Sequence, residues 1–341
     1  MTKLPLSPGR LLYLLYHRPV ASFNKLINDG GPLEHYRTRS GERAMIAAAA
    51  ALPLPVGDQT TSALEIHLLT GNRFWHQTAF CLWTFAHQSG RCLAPVIYDD
   101  GTLAGAERDH LRRLFPAIHF VPKADSAAAL DAMLPASRYP FLHDRWRLYP
   151  NIRKLIDPHL GSSGWKLVLD SDLLFFRRPD FLLSWLAAPD RPLHAVDNET
   201  SYGYGRALMD RLAGAHVGDL INVGLTGLRS DELDWERVEY FCRELITASG
   251  THYFLEQALI AMLVAGRDCA VAPAADYVTC PVPPEAGACR AVMHHYVAHS
   301  KPWYFRQNWR TALTLPLHPP SILHPQPPTP TPIPSPSSII D

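Results

Sequence analysis

Two carboxylates one residue apart close an apolar run in Lys166-Leu-Val-Leu-Asp170-Ser171-Asp172-Leu-Leu-Phe-Phe176. Such a Leu/Val run reads as a buried strand of a parallel sheet, and open α/β sheets bind ligands beyond the carboxyl ends of their strands. Carboxylates two apart on an extended chain point the same way, so Asp170 and Asp172 can share one hard divalent cation. The ion's other positions remain for water or phosphate oxygens. That combination suits diphosphate chemistry. Asp-x-Asp alone is a short pattern that also occurs in calcium loops, turns and solvated strand ends.

A later segment adds the missing residue types. His294-His295-Tyr296-Val297-Ala298-His299-Ser300-Lys301-Pro302-Trp303 offers an imidazole and, six positions on, a lysine beside a rigid Pro-Trp pair. A neutral imidazole suits manganese-like ions beside carboxylates. An ammonium near the ion neutralises charge building on a departing diphosphate.

These two segments resemble the family 8 glycosyltransferases, the group of glycogenin and the lipopolysaccharide galactosyltransferases, which carry Asp-x-Asp and a late His-Phe-x-Gly-x-x-Lys-Pro-Trp. The register of that late motif selects His295 as the third metal ligand, with Lys301 as the phosphate clamp, and leaves His294 and His299 to structural or surface roles. Ala298 stands where the family has Gly; a methyl group there crowds the backbone or alters its dihedrals. The resemblance implies the nucleotide-diphosphosugar transferase (GT-A) fold, a Rossmann-like mixed sheet flanked by helices. It also implies a manganese or magnesium ion, a UDP-sugar donor and transfer with retention of configuration.

Other segments follow in the family's order, from about Leu64 to Trp303. Thr70-Gly-Asn72-Arg-Phe-Trp75 resembles the nucleotide-contacting Thr-x-Asn-x-x-Tyr, which makes Thr70, Asn72 and Trp75 candidates for ribose and base contacts. The plain alternative is a strand-to-helix turn capped by Asn72 with Trp75 in the core. Lys154 lies sixteen positions before Asp170, where the family has a lysine that binds donor phosphate or sugar; a solvated basic helix face is its alternative. Ser171, between the two carboxylates, joins the donor-binding set. Asn222-Val-Gly224 resembles the family's Asn-Ser-Gly, whose Asn faces the donor sugar, with Val223 replacing Ser. Glu256-Gln257 resembles its Asp-Gln; ordinary helix N-terminal charge is the alternative for Glu256. Asp197, after the strand candidate Leu193-His-Ala-Val196, joins these. Asp197, Asn222, Glu256 and Gln257 are therefore the candidates for orienting the donor sugar and the acceptor hydroxyl.

The elements that must position these groups are strands at Ile66–Leu69, Pro95–Tyr98 and Leu193–Val196 and a helix over His76–Ala86. The chain's 341 residues are 47% hydrophobic, and 32 Lys+Arg balance 32 Asp+Glu. That supports a sizeable core and gives no net charge to attract nucleic acid. The six cysteines form no CxxC pair, which reads as reduced thiols in a cytoplasmic protein. Residues 1–60 read as a helical extension and linker. Within it, Arg10 to Tyr16 is too short to span a bilayer, and the apolar residues up to Ile27 would form amphipathic helices that pack on the domain or touch a membrane surface. Residues 61–313 read as the transferase domain. From 314 to 341 the chain holds ten of the 31 prolines and reads as an extended disordered tail.

The expected reaction is metal-dependent transfer of a hexose from a nucleotide sugar to an acceptor hydroxyl on a glycan, lipid-linked sugar or protein. One alternative is a nucleotide-sugar-binding protein that transfers nothing. Another is a haloacid dehalogenase-type phosphatase, which wants Thr or Val where Leu174 stands and a Gly-Asp-x-x-x-Asp motif that Gly218-Asp219-Leu-Ile-Asn-Val does not match.

Overall fold

The structure, a computed structural model, describes residues 30–58 and 60–316. The apolar segment before Ile27 and the proline-rich tail beyond 316 lie outside the described residues. Seven strands form the main sheet in the order β3-β2-β1-β4-β7-β6-β8. They are β1 (Leu64–Thr70), β2 (Leu93–Asp99), β3 (His119–Val121), β4 (Trp165–Leu169), β6 (Leu193–Val196), β7 (Ile221–Arg229) and β8 (Ala270–Val271). β1 to β4 run parallel, while β7 is inserted antiparallel to both β4 and β6. This is the mixed, helix-flanked α/β sheet expected. The inversion matters: it places the start of β7 at the same edge as the carboxyl ends of β1, β4 and β6.

The strand expected to end at the two carboxylates does so: β4 ends at Leu169 and the chain turns through Asp170-Ser171-Asp172. β5 (Leu173–Phe175) then enters a second sheet of order β5-β10-β9, with β9 at Tyr277–Thr279 and β10 at Met293–His295. The apolar residues after the turn did not reveal this second strand, because both segments are buried alike. β10 pairs antiparallel with β5 so that His295 faces Leu173, and the Tyr296 amide donates to the Asp172 carbonyl at 3.0 Å. Sheet register thus carries the late imidazole to the two carboxylates.

Nine helices of eight residues or more flank the main sheet among the described residues. They are α1 (Pro32–Ala50), α2 (Trp75–Ser89), α3 (Gly105–Leu114), α4 (Lys123–Met133), α5 (Pro140–Leu148), α6 (Asp180–Ala187), α7 (Arg206–Ala213), α8 (Trp235–Ser249) and α9 (Leu255–Leu263). Two apolar cores result. One joins α1, α2, α3 and α6 to the sheets, and the other is built from α4, α5, α7, α8 and α9. α2 is buried on every side because the small sheet covers what the main sheet leaves open, with Phe85 edge-on to Phe175 at 4.9 Å.

A helical run through 301–314, containing a π-turn at Tyr304–Asn308, closes the domain against α1. Arg306 donates to the Thr38 hydroxyl at 2.8 Å and the Glu34 carbonyl at 2.6 Å and pairs with the Glu34 carboxylate. A Cβ at Gly41 would overlap the backbone of Phe305, so the two segments approach as closely as glycine permits. Among the described residues no helix is long and apolar enough to cross a membrane. All six cysteines are free thiols.

Candidate metal centre

Asp170, Asp172 and His295 offer one ligand atom each, and these atoms all lie within 4.8 Å of one another. The His295 Nε2 stands 3.3 Å from Asp172 Oδ1 and 3.7 Å from Asp170 Oδ2. Its orientation follows from the network behind it. The Asn222 side-chain oxygen accepts from the Gly224 amide at 2.9 Å and lies 3.1 Å from His295 Nδ1, while the Asn222 amide nitrogen donates to Asp197 at 3.1 Å. This assignment makes Nδ1 the protonated nitrogen and leaves Nε2 with its lone pair toward the carboxylates. Nε2 is buried without a hydrogen-bond partner among the described residues. A lone pair facing two carboxylates is unfavourable by itself and satisfied by a cation, so the donor set fits a divalent ion held by two oxygens and one nitrogen. Gly224 makes room for it: a Cβ there would overlap the His295 ring.

Two ammonium groups flank the centre. Lys301 pairs with Asp172 from one side. Burial works against ionisation of Asp172, but the Lys301 ammonium beside it holds its carboxyl well below the usual carboxylate range. On the other side Lys154 Nζ sits 2.6 Å from Asp170 Oδ1 and 3.2 Å from Glu256 Oε2. Burial opposes its charge, yet these two carboxylates raise its pKa further above the ordinary lysine value. The Glu256 carboxyl is pushed up to about 7, chiefly by burial, with Lys154 opposing that rise and Asp170 adding to it. Gln257, next on α9, donates to Asp197 Oδ2 at 2.9 Å and to the Ile221 carbonyl at 2.8 Å. A continuous polar chain therefore runs from Gln257 through Asp197, Asn222 and His295 to the two carboxylates, and on through Lys154 to Glu256.

All of these groups line one cleft of about 750 Å³ at the carboxyl edge of the sheet. Thr70 and Ser171 line it too, the Thr70 hydroxyl accepting from Thr78 at 2.7 Å. Asn72 and Trp75 do not. Trp75 is buried and stacks on His110 at 5.5 Å, which is the core role named as the alternative. Asn72 is exposed on a neighbouring groove, and its backbone amide donates to Thr102. The aromatic that does face the cleft from this turn is Phe74, with Gln77 beside it, whose buried side-chain oxygen has no partner among the described residues. Sequence offered only a weak signal for these two: a polar residue one turn into a helix that is otherwise buried. Tyr149, Tyr253 and Phe254 also line the cleft, and Tyr253 is 70% exposed at its mouth. His294 is fully buried, hydrogen-bonded to the Tyr296 hydroxyl and Glu285, and His299 lies near the Cys280 sulfur on the cleft wall. Asp99 is structural: it accepts from the Gly101, Thr102 and Leu103 amides and pairs with Arg108.

Ala298, also on the cleft wall, holds φ at 43°, in the left-handed region. The backbone keeps the conformation that favours glycine although the residue is alanine.

No family model matches the chain, and no curated protein matches it significantly. Solved structures with a similar backbone course include the bifunctional glycosyltransferase WbbM (14% identity, TM-score 0.48), of whose length this chain spans about half, covering 51% of it with 76% of its own. Mouse xyloside xylosyltransferase 1 is similar at 11% identity over 70% of this chain and 99% of that one, with a TM-score of 0.49. The galactosyltransferase LgtC, solved with donor and acceptor sugar analogues, is similar at 13% identity over 75% and 98%, also at 0.49.

Proposed function

We propose that this chain is a metal-dependent glycosyltransferase that moves a hexose from a UDP-sugar to an acceptor hydroxyl with retention of configuration. One observation carries the reading: the unpartnered Nε2 of His295 meets Asp170 and Asp172 inside a cleft where Lys301 and Lys154 stand on either side. Manganese or magnesium bound by Asp170, Asp172 and His295 would draw charge from the two phosphates of the departing nucleoside diphosphate. Lys301 exchanges Asp172 for a phosphate oxygen and holds the leaving group. Lys154 keeps Asp170 and Glu256 apart as charged neighbours and fixes the direction of both carboxylates. Asp197, held by Asn222 and Gln257, presents its remaining lone pairs to sugar hydroxyls. Phe74 and Gln77 supply a ring face and an acceptor for the base, with Thr70 and Ser171 beside the ribose and phosphates.

Residues 61–313 form the transferase domain in this reading. The acceptor is a glycan, lipid-linked sugar or protein hydroxyl, and the protein works in the cytoplasm. The test is a thermal-shift panel of nucleoside diphosphates and nucleotide sugars with manganese and with chelator. A manganese-dependent rise for uridine diphosphate and one of its sugars is expected; no shift for any nucleotide would overturn the reading. In the same assay Asp172→Asn removes the manganese-dependent rise and abolishes transfer, whereas unchanged turnover would show that the metal is held elsewhere.

A further inference from the structure

The turn that walls the cleft with Thr70 and Phe74 shows its other side to a second concavity, of about 590 Å³, between α1 and the start of α2. Its lining is basic: Arg39 and Arg43 from α1, Arg73 from the turn, with Asn72, His76 and Ile46 and a single carboxylate, Glu42. Glu42 meets Arg39 at 3.5 Å, a long contact between two solvent-accessible groups that contributes little. Neither Arg43 nor Arg73 has a carboxylate partner among the described residues; Arg73 lies over the Phe74 ring at 5.3 Å. At the floor, His76 is only 1% exposed, and neither of its ring nitrogens has a hydrogen-bond partner among the described residues.

A buried imidazole without partners costs free energy that a ligand can return, and a neutral ring has one N–H to donate. Guanidinium groups converging from two elements match the oxygens of a phosphate, which accepts paired N–H donors. The Asn72 amide, turned away from the metal cleft, adds another donor. We propose that this groove binds a phosphate group through Arg43 and Arg73, with Arg39, Asn72 and the His76 N–H completing the shell. It is separate from the metal centre and lies on the other side of the Thr70–Trp75 turn.

The phosphate belongs either to a soluble ligand or to a lipid headgroup, and the test separates these. The full chain and the double variant Arg43→Ser/Arg73→Ser are titrated with inorganic phosphate in about 0.15 M salt with chelator present, which keeps the metal centre out of the reading. In parallel, both proteins are sedimented with vesicles of phosphatidylglycerol and of phosphatidylcholine. A saturable phosphate isotherm weakened about tenfold or more in the double variant supports a soluble ligand, as expected when charge-assisted bonds are lost. Selective sedimentation with phosphatidylglycerol that the double variant loses supports a lipid headgroup. A double variant indistinguishable from the parent in both arms, or a parent that shows neither saturable phosphate binding nor a preference for the anionic vesicles, overturns the proposal. Circular dichroism of both proteins confirms that the substitutions, on exposed side chains, leave the fold intact.

Discussion

The imidazole of His295 depends on Asn222 more than on either carboxylate, because Asn222 decides which ring nitrogen carries the proton. Asn222→Ala removes the acceptor at Nδ1 and frees the tautomer. Manganese affinity measured by calorimetry should fall by about 10- to 100-fold, the usual effect of losing such a supporting bond, and the urea midpoint should fall as well, because the Gly224 amide and Asp197 lose a buried partner. Ala298→Gly relieves a left-handed alanine and should stabilise the fold by about 1 kcal/mol, read as a rise in melting temperature with no loss of nucleotide binding. At this scale the pair Asp170 and Asp172 was legible from residue type and spacing, whereas the choice of His295 among three histidines, with Lys301, rested on the resemblance to a family motif; the structure brings these four side chains together. The sequence did not tell which of Phe74 and Trp75 faces the cleft. Adjacent residues at a helix start point about 100° apart, and only the packing of Trp75 on His110 decides between them.

Among elements, the pairing of β10 with β5 and the clamp of α1 on residues 304–308 do most to place the site. Gly41→Val puts a branched side chain into the Phe305 backbone. The expected result is faster hydrogen exchange through 301–314 and weaker nucleotide binding, because Lys301 begins the run that α1 holds; an unchanged exchange pattern would refute the clamp. In the main sheet β1, β2, β4 and β6 were readable from their apolar runs and the turns after them, whereas β3 and β8, of three and two residues, were not. The second sheet was not, since three-residue strands from distant parts of the chain carry no periodicity of their own. Nor does an isolated apolar run declare direction, so the antiparallel insertion of β7 emerges only from its neighbours.

For the whole molecule, stability should fall on acidification before most carboxylates titrate. Burial lowers the pKa of His159 to about 3 and, with Lys301 adding to the effect, that of His76 to about 4, against 6.5 for an ordinary imidazole. Between those values the unfolded chain binds more protons than the folded one, so lowering the pH favours unfolding, by up to about 1.4 kcal/mol per pH unit for each group. Urea midpoints measured from pH 7 to pH 5 should decline, and His159→Asn should flatten the slope by about one proton. Charge balance within the cleft has a further effect, on the order of events. Asp100, Asp170, Asp172, Asp197, Glu199 and Glu256 line it against Lys154 and Lys301 alone, so the overall neutrality of the chain conceals a strongly acidic mouth. In the proposed reaction a bare nucleoside diphosphate approaching this wall would be repelled, whereas its complex with a divalent cation would not. Cation and nucleotide would then each raise the other's affinity by the same factor, and free diphosphate would leave readily once the cation goes.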